Sequence, residues 1–409
     1  MSRSDLAGHA HAIGIMSGTS ADGVDAVLTR IERGGPRRRS ELIATVSRAY
    51  PDALRRRVLE AQEGTLAARS LFALHVELAE EAAAAARDVI ATPVARGTRP
   101  VVAGFHGQTV FHDPRGERSG TRLTIQIGEP AVLASALGIP VVSNFRMADV
   151  LAGGEGAPLV PRFDYHQFAS DTRDRVLLNL GGIANLTRIP ARGTIRDLVA
   201  FDCGPGNMLL DGIVGASGST GARFDAGGAI GAEGRAAEDV VREFIGDPYF
   251  SRRPPKSAGR EEFGAAYLSR FLARTEGMSF PDRLRTATAI TAAAVAGAIM
   301  LSGKGWPHEI YVSGGGARNG TLLEEIRTRV ADSGRAALSG GAADSRGAAV
   351  APAVRTTDGL GVPIEAKEAM AFAFLAFESL SGRPGNVPAA TGADREVVLG
   401  SITPPPTPR

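Results

Sequence analysis

The chain has one cysteine, one tryptophan and 5% aromatic residues in 409 positions, and its charges nearly cancel at a formal net of +2. A lone thiol, Cys203, cannot close a disulfide within the chain, and it lacks the Cys/His neighbours of a zinc site. The near-balance of charge excludes a nucleic-acid footprint, because a polyanion partner needs many cations on one face. The densest basic run, Arg37 to Arg39, sits in a Gly/Pro turn and reads as a solvated hairpin tip. No apolar run approaches the ~20 residues that span a bilayer, so no membrane partner is expected. Residues 1–11 lack the apolar core of a secretory signal. These absences place the protein in the reducing cytoplasm.

What is present is the composition of a globular protein, 44% hydrophobic and 22% charged. The length exceeds one ordinary core of roughly 100–200 residues, so two domains are expected. Strand-like runs at Ala12 to Met16, Ala26 to Ile31, Leu42 to Val46, Pro100 to Ala103, Leu123 to Gln126, Pro140 to Val142, Arg175 to Asn179, Leu198 to Phe201 and Glu309 to Val312 alternate with helical patterns. The helical patterns include Leu66 to Ile90, Ala236 to Ile245, Glu261 to Thr275, Arg283 to Leu301 and Thr321 to Ala331. That alternation predicts an α/β protein. A closing strand is expected at Glu396 to Leu399, and the Pro-rich end, 401–409, reads as a disordered tail.

Three glycine-bearing turns follow strands. In the first, Ser17-Gly18-Thr19-Ser20-Ala21-Asp22-Gly23-Val24-Asp25, backbone and hydroxyl donors suit phosphate oxygens and an aspartate suits Mg²⁺, a hard cation that takes oxygen ligands. The second, Phe201-Asp202-Cys203-Gly204-Pro205-Gly206-Asn207, sets a carboxylate at a strand end, where it could serve as a general base or simply cap the helix that begins near Met208. Asp211, within that helix, is a second candidate for the base. The third, Ser313-Gly314-Gly315-Gly316, allows close approach of a base or phosphate. A cleft between two lobes bearing such turns is where a ligand is expected. Two further stretches, Gly104 to Thr109 and Asn144 to Asp149, mix polar groups with glycine, and Arg146 suits a carboxylate held bidentately.

Taken in order, these segments resemble the anhydro-N-acetylmuramic acid kinase family, within the actin/Hsp70/hexokinase-type ATPases. The resemblance also covers Ile125 to Pro130, Asn179 to Asn185, Pro254 to Phe263 and Glu368 to Phe377, most of the chain. It implies a two-lobed actin/hexokinase-like, ribonuclease H-like α/β fold with an interdomain cleft. One lobe would comprise 1–145 with 370–400, the other 146–369. It implies ATP and Mg²⁺ as cofactors, a small sugar substrate and a homodimer. Gly18, Thr19, Ser20, Ala21, Asp22, Gly23, Val24 and Asp25 would bind ATP phosphates with Gly204, Gly314, Gly315 and Gly316; Asp22 would hold the metal; Asp202 would be the catalytic base. His106, Gln108, Arg146, Asp149 and Glu368 would bind the sugar. Ala21, Ala258 and Gly264 depart from the family pattern, at positions where a larger apolar residue or more polar ones are usual. The alternatives are a kinase of another anhydrosugar such as levoglucosan, and a non-catalytic nucleotide sensor.

Overall fold

The computed structural model describes residues 8–18, 21–218, 223–303, 305–339 and 352–407, with the side chains of 334–339 not described. Thr19 and Ser20 of the first turn therefore lie outside the described residues. The strands in chain order are β1 (His9–Met16), β2 (Gly23–Glu32), β3 (Ser40–Ala49), β4 (Pro100–Phe105), β5 (Gln108–Asp113), β6 (Leu123–Ile127), β7 (Val141–Ser143), β8 (Arg175–Leu180), β9 (Ala184–Ile189), β10 (Val199–Gly204), β11 (Glu309–Ser313), β12 (Ala353–Thr356) and β13 (Ser401–Thr403).

The chain divides into two compact units, residues 1–168 with 366–409, and residues 169–365. In the first, the sheet runs β13-β7-β4-β1-β2-β3, with β1, β2 and β3 antiparallel and β4 and β7 parallel to β1. In the second, the order is β10-β9-β8-β11-β12, with the same antiparallel trio and β11 and β12 parallel to β8. Setting β13 aside, each unit repeats one design: a three-stranded antiparallel meander whose first strand pairs with a parallel strand, which in turn pairs with a second parallel strand. This is the repeated ribonuclease H-like arrangement that an actin/hexokinase-like fold requires.

The unit boundaries differ from the expected 145/146 and 369/370 because the helix Pro161–Phe168 packs on the helix Lys367–Leu380. Phe163 meets Phe374 edge-on at 6.0 Å, and the buried Lys367 ammonium lies 3.0 Å from the Asp164 carboxylate. Most of the helix Lys367–Leu380 is buried, with Glu368 half-buried and Leu380 exposed, and it lies against β1 and β4. Two glycines permit that contact. A Cβ at Gly14 would stand 1.8 Å from the Ala369 carbonyl oxygen, and one at Gly104 would stand 2.1 Å from that of Phe372.

The C-terminal expectation needs correction in two respects. Glu396 to Leu399 makes no strand, because its Val397 amide goes to the Asn386 side chain and its carbonyl to Gly385. The strand is β13, Ser401–Thr403, antiparallel to β7, so the first part of the expected tail is ordered at the sheet edge. In the second unit the helix Phe280–Leu301 is, among the described residues, the one long and apolar enough to cross a membrane, contrary to the sequence expectation. Its apolar window is 72% buried, with Ala292, Val295 and Ile299 in the core under β8 to β11. It is a core helix.

Candidate functional site

In the first unit the turn after β1 is held from beneath. The buried Ser17 hydroxyl lies 2.9 Å from the Gly23 carbonyl and 2.7 Å from Gln108 Oε1, and it accepts from the Tyr50 hydroxyl at 3.2 Å. Gln108 returns a bond from Nε2 to the Gly18 carbonyl at 3.2 Å. Burial pushes the Tyr50 phenol up to about 12, so it stays a neutral donor. Ala21 adopts a left-handed backbone with φ of 54° and is buried in the core, while its amide donates to Gly18. A β-branched or bulkier residue would be harder to hold in that conformation. Val24 is also core. Asp22 is exposed beside it, and Asp25 accepts from Ser47 Oγ at 2.5 Å.

His106 follows β4, and its amide donates to the Ile15 carbonyl, so the residues 106–108 and the glycine turn share the carboxyl edge of two parallel strands. Open α/β sheets place ligands at that edge. His106 Nδ1 donates to the Gly107 carbonyl at 2.7 Å, and Nε2 accepts from Arg146 Nε at 3.0 Å. Arg146 Nη1 donates to the Gly156 carbonyl at 2.8 Å. The Nε and Nη1 of Arg146 thus each hold a partner within the protein. Beside His106 a cavity of ≈ 280 Å³ is lined by Gly107, Gln126, Gly128, Ser143 and Asn144 among others.

Two expected sugar ligands are interior. Gln108 is 2% exposed and spends its amide on the turn. Asp149 is 0% exposed: Oδ1 accepts from Asn386 and Thr391 at 2.7 and 2.8 Å, and Oδ2 from the Gly156 amide at 2.8 Å. It fastens the C-terminal segment to the loop that supports Arg146. Glu368 is half-buried in the first turn of its helix, next to Lys367.

Buried histidines mark this unit. Burial, with Arg146 adding to it, lowers His106 to about 3 and His112 to about 4, and burial with Arg38 and Arg162 lowers His166 to about 3. Between these values and the ordinary 6.5 the unfolded chain binds more protons than the folded one, so stability falls on acidification through that window. The urea midpoint is therefore expected to drop between pH 6.5 and 5, above the range where carboxylates titrate. A midpoint that stays level or rises over that interval contradicts the burial of neutral imidazoles.

In the second unit three glycine turns converge at the corresponding edge. Gly181 and Gly182 follow β8, Gly314 to Gly316 follow β11, and Asp202 to Asn207 close β10. The Asn207 amide donates to the Gly181 carbonyl at 2.9 Å, and its side chain to the Leu180 carbonyl at 3.2 Å. Gly316 lies against Leu180 and Asn207, and Gly204 faces Ala294 of the long core helix. Gly314 is half-buried and Gly315 exposed.

Asp202 is half-buried and does not cap the following helix, Gly206–Ser217, which has no side-chain cap. Its Oδ2 instead accepts from the Ala258 amide at 2.8 Å, and its own amide donates to the Lys256 carbonyl at 3.3 Å. The Ala258 contact is made by backbone and so does not depend on the side chain at that position. Asp211 is exposed on the helix, away from that grip. Sequence reasoning had not assigned Asn207, Lys256 or Ala258 to the site. The signal lay in Asn179 to Asn185 and Pro254 to Phe263, distant in sequence and joined to Asp202 only by folding.

Among the described residues no group of three His, Cys, Asp or Glu side chains could by itself hold a metal.

The sequence matches the family described as anhydro-N-acetylmuramic acid kinase over residues 10–405. Relatives of that name include those of Gloeobacter violaceus, 38% identical over 96% of this chain and 98% of that protein, and Salinibacter ruber, 41% identical over 96% of each. Among solved structures, a ROK family glucokinase from Streptomyces griseus in complex with glucose and AMPPNP aligns over 90% of this chain and 99% of that one, at 14% identity and a TM-score of 0.37.

Proposed function

Since the chain belongs to the anhydro-N-acetylmuramic acid kinase family, we propose that it phosphorylates the 6-oxygen of 1,6-anhydro-N-acetylmuramic acid with ATP while water opens the anhydro bridge. The products are N-acetylmuramic acid 6-phosphate and ADP, in peptidoglycan recycling. The observation that carries this reading is Asp202, a half-buried carboxylate at a strand end, with one oxygen anchored on the Ala258 amide beside a cluster of glycine turns.

The bonds balance as follows. Asp202 takes a proton from water, and the water oxygen bonds to the anomeric carbon. The bond from that carbon to the bridging oxygen breaks, and the bridging oxygen bonds to the γ-phosphorus as ADP leaves. A base of this kind contributes typically ~10²–10⁴-fold. The turn from Gly18 to Asp25 in the first unit, and Gly204 with Gly314 to Gly316 in the second, each offer backbone donors suited to nucleotide phosphates. Asp22 would hold Mg²⁺ arriving with ATP, which would offset charge on the phosphates. His106 and Arg146, with Glu368 and the cavity beside His106, take the sugar; Gln108 and Asp149 support them from within. Neutral His106 accepts from Arg146 and holds the guanidinium plane in place. The protein works in the cytoplasm, where ATP is supplied and Cys203 stays reduced.

The composition of the product tests this reading. Mass spectrometry after incubation with Mg-ATP is expected to find a sugar heavier than the substrate by one phosphoryl group and one water. A product carrying the phosphoryl group without the water would reduce the protein to a simple sugar kinase and remove the role given to Asp202.

A further inference from the structure

The Lys256 side chain, in the Pro254 to Phe263 motif, is buried, with the residue 3% exposed. Its ammonium donates to the Tyr249 carbonyl at 2.9 Å and lies near that of Phe250 at 3.5 Å. It also sits 4.5 Å from the centre of the Tyr249 ring and 5.3 Å from that of Phe201. Carbonyl dipoles and aromatic faces are what a desolvated cation needs to stay charged. The same residues surround Asp202. Phe201 precedes it, the Lys256 carbonyl accepts its amide, and the Tyr249 hydroxyl donates to its carbonyl at 2.9 Å. Two residues on from Lys256, the Ala258 amide holds the carboxylate.

We propose that Lys256 is a positioning residue for Asp202: its locked ammonium fixes the 256–258 backbone that grips the carboxylate and supplies the positive charge that keeps that carboxylate ionised. The proposal rests on the reading of Asp202 as the base. Half-burial alone would favour the protonated, inactive form of a carboxyl group, and a cation lodged nearby opposes this. The other titratable or charged groups around the pair are Cys203, Tyr249, Arg252 and Glu262. Burial pushes both the Cys203 thiol and the Tyr249 phenol up, so neither carries charge at working pH. Arg252 lies 5.6 Å from the Tyr249 ring centre, and Glu262 acts on that same tyrosine. Lys256 is the cation with the backbone hold on Asp202.

The test compares kcat against pH for wild type, Lys256→Met, Lys256→Arg and Asp202→Asn with Mg-ATP and 1,6-anhydro-N-acetylmuramic acid. In Lys256→Met, of similar length and without charge, the acid limb is expected to move up by about one pH unit, a tenfold loss on that limb. Lys256→Arg keeps the charge and is expected to hold the limb within a few tenths of wild type, with a lower plateau from the altered packing. A Lys256→Met limb coincident with wild type, even with a lower plateau, overturns the proposal. Should Lys256→Met fail to fold by circular dichroism, a Lys256→Arg limb displaced upward overturns it and an unmoved limb supports it. Failure of the underlying reading looks different: Asp202→Asn would then keep turnover and its acid limb.

Discussion

Asp202→Asn is expected to lower kcat by about 10²–10⁴-fold with little change in the urea midpoint. Asparagine keeps the shape of the side chain, and its carbonyl oxygen can still accept from the Ala258 amide, so the contact that anchors this position survives. What disappears is the ability to take a proton from water. The loss should appear with saturating ATP and sugar, because the interaction removed belongs to the transition state rather than to binding. Steady-state kinetics with a parallel denaturation curve checks both halves. A kcat within a few-fold of wild type would remove Asp202 from the chemistry and turn attention to Asp211, which the structure leaves exposed on its helix.

The second large effect concerns stability. Glu378 is 0% exposed in the helix Lys367–Leu380, and it accepts from Arg38 Nε at 3.1 Å and Arg383 Nε at 3.0 Å, with Arg38 Nη2 at 2.5 Å from its other oxygen. Arg38 comes from the run that the sequence presents as a solvated tip, yet its side chain is only 15% exposed. Around it stand the neutral His166, with Nδ1 accepting from the Arg38 amide, and Arg162. Glu378→Ala would leave guanidinium groups facing one another with their shared carboxylate gone. Removing one partner of a buried ion pair costs about 3–5 kcal/mol. Arg38→Ala should cost less, because Arg383 still pairs with the glutamate. Urea denaturation followed by circular dichroism is expected to rank wild type above Arg38→Ala above Glu378→Ala. An unchanged midpoint for Glu378→Ala would show that the cluster is solvated in solution.

How much of this was legible in the sequence depends on how local the signal was. Strands such as β1 and β11 announce themselves through short apolar runs ended by glycine, and the three turns they feed were found with their residues. β5 and β9 escaped notice because their polar residues are satisfied in the folded state: His112 bonds Thr124 at 2.9 Å, and Arg188 pairs with the buried Asp174 at 2.7 Å. The helix expected over Glu261 to Thr275 breaks at Gly264, where the backbone leaves the helical region between two shorter helices. Asp149 and Gln108 read as ligands since buried polar residues and binding residues have the same composition; only the partners tell them apart. Arg38 and Lys256 were harder still, as each acts on a group more than 40 positions away in the chain. The family resemblance covered these gaps at the level of function, while the physical roles of individual residues needed the fold.

The most direct test of the whole account is ADP release, measured with a coupled assay on the purified protein with Mg-ATP and, in separate runs, 1,6-anhydro-N-acetylmuramic acid, levoglucosan or no sugar. The account predicts rapid release with the muramic sugar and only a background rate in the other two. Release with levoglucosan alone would contradict the substrate assignment, and silence with both sugars while ATP still binds would contradict catalysis itself.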